Sequence, residues 1–223
     1  MQITASRLTA AAGLCAAAAG AIFVGVQIDH PPADVAHVVT TEMTLRESAK
    51  MLMAVLALVG FTGLFLHHRR RLGALGLAGY VLLSVGYLAM FANQCIVALV
   101  LPTVADTDPG YVQAYLDAAM GKTAGGDIGG IQQLFLVTGI GYSLGGLLFG
   151  VALFRAAVPG RWFGALLAVG TTSALALSVL PESLSRPFAV PTGVALIGLG
   201  VSLWRDQRSE TPAPAWVAEP ATR

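Results

Sequence analysis

Hydrophobic and polar residues follow one another in blocks along this chain. Long apolar runs with few or no charges are separated by polar connections. About 20 apolar residues in a helix cross about 30 Å of hydrocarbon, and a helix satisfies its own backbone groups there. Six runs meet that length, at 8–28, 49–66, 75–101, 131–154, 162–180 and 188–204. The sixth is short and carries Pro191 near its start, where proline is tolerated. The pattern predicts an all-α fold, a polytopic membrane helix bundle of six transmembrane helices over 1–205. A disordered tail, rich in Pro and Ala, is expected over 206–223. Arg7 followed by alanines looks like the start of a secretory signal. The run is longer than a signal's apolar region and Leu14 suits a lipoprotein cleavage site poorly, so it is read as the first span.

Lysine and arginine counts orient the spans. With the ends alternating, one side holds Arg7, Arg69, Arg70, Arg71, Arg155, Arg161, Arg205, Arg208 and Arg223. The other holds Arg46, Lys50, Lys122 and Arg186 together with most of the acids. The arginine-rich side is therefore expected in the cytoplasm, with both termini, and the acidic loops outside the cell membrane. His67-His68-Arg69-Arg70-Arg71 is read as a topology anchor.

Within the outer loop over 102–130, Asp108-Pro109 reads as N-cap and first helical residue, and Gly121 as a stop. Between them, Tyr111, Val112, Tyr115, Leu116, Ala119 and Met120 form one apolar face, so an amphipathic helix over 109–120 is expected to lie as a lid.

Composition narrows the classes. Apolar residues make up 56% of the 223 and charged ones 11%, against about 25% charged in an ordinary soluble domain. Mean hydropathy is +0.73. A soluble globule and a disordered chain are both excluded. A net charge of +1 gives no basic footprint for nucleic acid. The two cysteines, Cys15 and Cys95, have no metal spacing and are read as unpaired.

Glycine pairs four apart, such as Gly141 with Gly145, Gly146 with Gly150 and Gly160 with Gly164, are helix-packing signals. Such faces serve packing within the chain or a homo-oligomer. Gln132, Gly139, Ser143, Gly146 and Gly150 share one helical face that is expected to be covered. Gly141-Tyr142-Ser143-Leu144-Gly145 matches a nucleophile elbow, but it lies within an apolar helix and no span holds a histidine base. The missing span histidines also exclude bis-histidine haem. There is no Cys-x-x-Cys, no Asp-Asp-x-x-Asp, no Walker loop and no carboxylate or lysine at mid-depth. The reading implies no cofactor and no metal. His30, His37, Asp29 and Asp34 are spaced too irregularly for one.

Candidate chemistry remains at the outer rim. Thr44-Leu45-Arg46-Glu47 reads as a capping box, and Glu42 with Arg46 as a helix pair. Glu47 and Lys50 stand at the membrane entrance, where desolvation is expected to raise a carboxyl pKa. Tyr80, Ser84, Tyr87, Phe91 and Gln94 share one face of the third span, with Asn93 beside it and Gln132 and Gln133 heading the fourth. Asp127 sits in a glycine-rich turn over 125–130, and Glu182 with Arg186 in the Pro-bounded loop over 181–187. Two functional classes fit. In one, a lipophilic substrate lies among the helices. One of the candidate acids Glu42, Glu47, Asp127 and Glu182 protonates an alkene or epoxide, and the aromatic rings stabilise the cation. Arg46, Arg186, Asn93, Gln94 and Gln132 would hold the polar end. In the other, the rim charges only cap helices and set topology in a transporter or partner subunit.

Size, helical architecture and acids at helix ends, as in Thr41-Glu42-Met43-Thr44-Leu45-Arg46-Glu47 and Leu180-Pro181-Glu182-Ser183, give the chain a resemblance to the small integral-membrane terpene cyclases, bacterial drimentine type and fungal meroterpenoid type. That resemblance implies metal-independent, proton-initiated cyclisation of an isoprenoid substrate. The alanine, glycine and arginine bias is similar to that of small six-span proteins of high-GC bacteria.

Overall fold

A computed structural model describes residues 4–173 and 189–209. The described residues form α1 (Ala5–Gly25), α2 (Val35–Val38), α3 (Thr41–Cys95), a π-helical turn (Ile96–Val100), α4 (Leu101–Val104), α5 (Pro109–Ala119), α6 (Ile131–Arg155), α7 (Arg161–Ser173) and α8 (Val190–Ser209). The fold is all-helical. Three helical stretches, α1, Thr41–Val104 and α6, are long and apolar enough to cross a membrane.

The middle stretch holds 64 residues. At about 1.5 Å per residue it would reach about 96 Å if straight, three times a bilayer's hydrocarbon. It doubles back at Gly73, whose φ of 59° and ψ of −156° leave the helical region. Only glycine adopts this conformation without strain. The two legs then pack antiparallel. Phe65 stacks on Tyr80 at 4.7 Å, and Phe61 meets Tyr87 edge-on at 5.2 Å. Further on, the π-helical turn precedes Pro102, which cannot donate to the helical ladder, so the local rewinding has an identifiable cause.

Neighbouring helical segments are antiparallel and close into a ring: α1, the first leg of α3, its second leg, α6, α7, α8 and back to α1. The contacts are close because the facing residues are small. A β-carbon on Gly86 would collide with the backbone of Gly141 and Tyr142, and one on Gly79 with Phe149. Gly150 and Gly164 face each other between α6 and α7, and Gly13 faces Gly200 between α1 and α8. Glycines 141, 145, 146, 150 and 164 thus meet helices of their own chain. Gly139 and Gln132 depart from the expected covered face. Gly139 has nothing within 4 Å among the described residues, and Gln132 is exposed. The centre is filled by Phe23, Phe61, Leu83, Tyr87, Phe149, Leu167 and Leu196, drawn from every wall of the ring.

The helix bounds differ from the apolar runs chiefly at their ends. α8 continues to Ser209, into the segment expected as tail, where Asp206 holds His67 at 3.0 Å and Gln207 is buried. Residues 174–180 of the fifth run and all of loop 181–187 lie outside the described residues, as do Glu182 and Arg186.

Candidate functional site at the rim of the bundle

α3 begins earlier than the capping box predicts. Its N-cap is Thr40, whose Oγ1 accepts from Met43 N at 3.2 Å and donates to His37 O at 2.6 Å. Thr44 is already inside the helix, where its hydroxyl turns back to Thr40 O. Glu47 is therefore not a capping residue. Four residues of extra helix put Glu42, Arg46, Glu47 and Lys50 on successive turns, from which Arg46, Glu47 and Lys50 reach the segment that follows α1.

Arg46 acts as a clasp. Its Nε donates to Glu42 Oε1 at 2.9 Å, and Nη2 approaches the same oxygen at 2.8 Å. Nη1 donates to Val26 O and Ile28 O at 3.3 and 2.8 Å, and Nη2 to Asp29 O at 3.1 Å. A guanidinium has five N–H donors. All five have protein acceptors, three of them carbonyls beyond the last turn of α1, so no donor remains for a substrate.

Glu47 forms the second element. It is 3% exposed. Lys50 Nζ donates to its Oε1 at 2.6 Å, and His30 Nε2 lies 3.6 Å away. His30 Nδ1 is 2.8 Å from Pro31 O, a carbonyl that only accepts, so Nδ1 carries a proton. His30 Nε2 also lies 2.9 Å from Lys50 Nζ. Lys50 thus bridges the carboxylate and the imidazole. Burial by itself pushes the Glu47 carboxyl up. The His30 contact and the Lys50 ammonium outweigh it, and the net direction is down. The expected raised carboxyl is not found, because the sequence did not reveal how close Lys50 and His30 would come.

A third element pins the lid. Asp108 Oδ1 accepts from Tyr111 N at 2.9 Å, so α5 starts as the sequence predicts, and Gly121 follows its end with a φ of 75°. Tyr115, fully buried, donates to Asn93, with its hydroxyl 3.3 Å from both the main-chain O and Oδ1. Asn93 Nδ2 donates to Thr138 Oγ1 at 3.0 Å, and Thr138 donates to Leu134 O at 2.8 Å. α5 is thereby tied to α3 and α6 through one closed network. Burial, then the neighbouring Tyr111 and Glu47, push the Tyr115 phenol well above its usual range, which keeps it a donor. Tyr115 packs with Val112 and Leu116 of α5 and with Val38 and Leu101.

The remaining candidates stand apart. Glu42 is exposed except for Arg46. Asp127 is exposed, and its Oδ1 accepts from Gly129 N at 2.8 Å in a local turn. Gln132 and Gln133 are exposed, and Gln94 is half-buried. Tyr80 belongs near the opposite end of the bundle, where its hydroxyl meets Thr62 Oγ1 at 2.9 Å. Thirteen residues of helix, about 20 Å, separate it from Asn93. Tyr87 lies in the packed centre against Phe61 and Tyr142, and Phe91 packs on that cluster from its edge. The Tyr87 hydroxyl and Ser84 Oγ have no partner among the described residues. The described acids thus do not converge on one chamber. His37 pairs with Asp34 at 2.7 Å, which holds that carboxyl below its usual value. No group of three or more metal-binding side chains occurs among the described residues.

Sequence reasoning missed the role of Tyr115 and Thr138 and the joining of His30 to Glu47. Tyr115 was legible only as one apolar position of an amphipathic helix. His30 lies 17 residues from Glu47, and nothing local signals their meeting. No protein-family model matches the chain, and no curated protein or solved structure matches it either.

Proposed function

We propose that the chain is a non-catalytic multi-pass protein of the cell membrane, a partner subunit or transport component. It has six spans, both termini in the cytoplasm and a capped extracytoplasmic rim. The saturation of Arg46 carries this reading, since its five donors are all engaged by Glu42 and the carbonyls after α1. The other rim groups follow the same rule: Lys50 neutralises Glu47, Tyr115 and Thr138 satisfy Asn93, and Asp127 closes a turn. Groups committed to one another hold a cap in place and are poorly disposed to bind a substrate. The doubling back at Gly73 supports the six-span count, and the arginine bias supports the orientation.

The test has two arms. Alkaline phosphatase fused within 122–130 is expected to be active, and fluorescent-protein fusions at both termini to glow. An inactive fusion at Asp127 overturns the orientation. Membranes containing the protein are expected to leave a prenylated substrate unchanged, with or without added metal.

A second reading keeps the enzyme. Glu47 is a buried carboxylate at the rim of the bundle, held by Lys50 and His30. Once a substrate displaced Lys50 and burial let the carboxyl take up a proton, it would serve as the acid of a metal-independent cyclase, giving that proton to the alkene of a lipophilic isoprenoid and regaining one when the final carbocation is deprotonated. Metal-free conversion that is abolished by Glu47→Gln, in protein that still accumulates, establishes this reading against the first.

A further inference from the structure

We infer that the outward groove between α6 and α7 is a binding site for one anionic phospholipid, with an acyl chain along the groove and the phosphate on Arg161. The inference rests on the membrane-spanning reading and is independent of any catalysis.

The groove has a volume of about 280 Å³. Its walls are Leu147, Val151 and Phe154 of α6 and Ala165, Ala168 and Val169 of α7. The close approach of Gly150 to Ala168 and of Gly164 to Leu153 brings the two backbones together. Between the larger Leu147, Phe154 and Val169, the small Ala165 and Ala168 leave a furrow. Its lining is almost wholly apolar, and Val169 is 63% exposed at its margin. A furrow of this kind in the lipid-facing wall suits a hydrocarbon chain.

One end of the furrow is chemically distinct. Phe154 and Trp162 meet edge-on at 5.0 Å. The Arg161 guanidinium stands against both rings, 5.3 Å from the Phe154 centroid and 5.4 Å from that of Trp162. The rings hold the planar cation without neutralising it. Arg155 ends α6 nearby. Among the described residues, neither arginine has a carboxylate within ion-pair distance. Along α7, positions 161, 165, 168 and 172 recur at helical spacing on one face, so the cation and the furrow are aligned. An aromatic pair with an arginine is the arrangement of a membrane interface. An anionic headgroup there and an acyl chain in the furrow satisfy both parts at once.

Native mass spectrometry of the full chain, taken from bilayers of equal phosphatidylglycerol and phosphatidylcholine, tests this. One retained phosphatidylglycerol per chain is expected, with about tenfold preference over phosphatidylcholine. Arg161→Gln should abolish the preference. Ala168→Phe should remove the retained lipid by filling the furrow, and Val169→Trp, at an exposed position, should do so even if Ala168→Phe misfolds. Millimolar inorganic phosphate should not displace the lipid. Preference unchanged in Arg161→Gln, retention unchanged in Val169→Trp, or displacement by phosphate alone would each overturn the site. A chain that enters bilayers but retains no phosphatidylglycerol overturns the site and leaves the membrane reading intact. A chain soluble without detergent overturns both.

Discussion

Phe65 and Tyr80 lie face to face, 4.7 Å between centroids and 2° between ring planes, one on each side of the reversal at Gly73. The stack and the Tyr80–Thr62 hydrogen bond close a helical hairpin whose turn is almost a single residue.

Gly73→Ala therefore tests the turn. A β-carbon there meets nothing within 4 Å, so any effect comes from the backbone conformation. A cost of about 1–3 kcal/mol is expected, seen as a lowered Tm in detergent. Gly25→Ala, which has equal space and no positive φ, should not lower it by as much.

Gly86→Ala should be worse. Its β-carbon collides with backbone atoms of Gly141 and Tyr142, which cannot turn aside as a side chain can. Separating α3 from α6 is expected to cost at least about 1–3 kcal/mol. Thermal unfolding checks this, and an unchanged Tm would refute the tight crossing.

Tyr87→Phe should be neutral or stabilising, by up to about 1 kcal/mol, because it deletes a buried hydroxyl that has no partner among the described residues and keeps the ring on Phe61. A marked loss of stability would mean that the hydroxyl has a partner.

Tyr115→Phe removes the donor that ties the lid to Asn93. The hydrogen bond is worth about 1 kcal/mol, and exchange of amides across α5 should quicken while the rest of the bundle is unaffected. Uniform exchange in both proteins would show that packing alone holds the lid.

Acid should weaken the fold in two stages. Burial, followed by the His67 charge, lowers the His68 pKa to about 4 from an ordinary 6.5, so its neutral form is favoured in the folded chain. The unfolded chain takes up that proton first as pH falls. Stability present above pH 6.5 is therefore lost down to about pH 4, by on the order of 3 kcal/mol at most. Glu47, with its carboxyl held below the usual value, contributes stability above the ordinary carboxylate range that is lost as pH falls through its folded value. Chemical denaturation against pH should show both stages, and His68→Leu should remove the upper one alone.

The amino-acid sequence by itself determined the helical class, the apolar runs and the amphipathic helix α5. Each of these depends on local chain properties: run length against bilayer thickness, Asp108-Pro109 as a start signal and Gly121 as a stop. It also showed that Glu42 would meet Arg46, because four residues of helix bring them together. Only the tertiary structure decided which rim groups have partners. The Arg46 clasp on Ile28, the His30–Lys50–Glu47 bridge and the Tyr115–Asn93–Thr138 network join residues from different helices and loops. No periodicity encodes such meetings, since they depend on how closely glycine-lined helices approach and where the connecting segments come to rest. The direction of the Glu47 titration follows from them, because burial and a neighbouring ammonium act on a carboxyl with opposite sign.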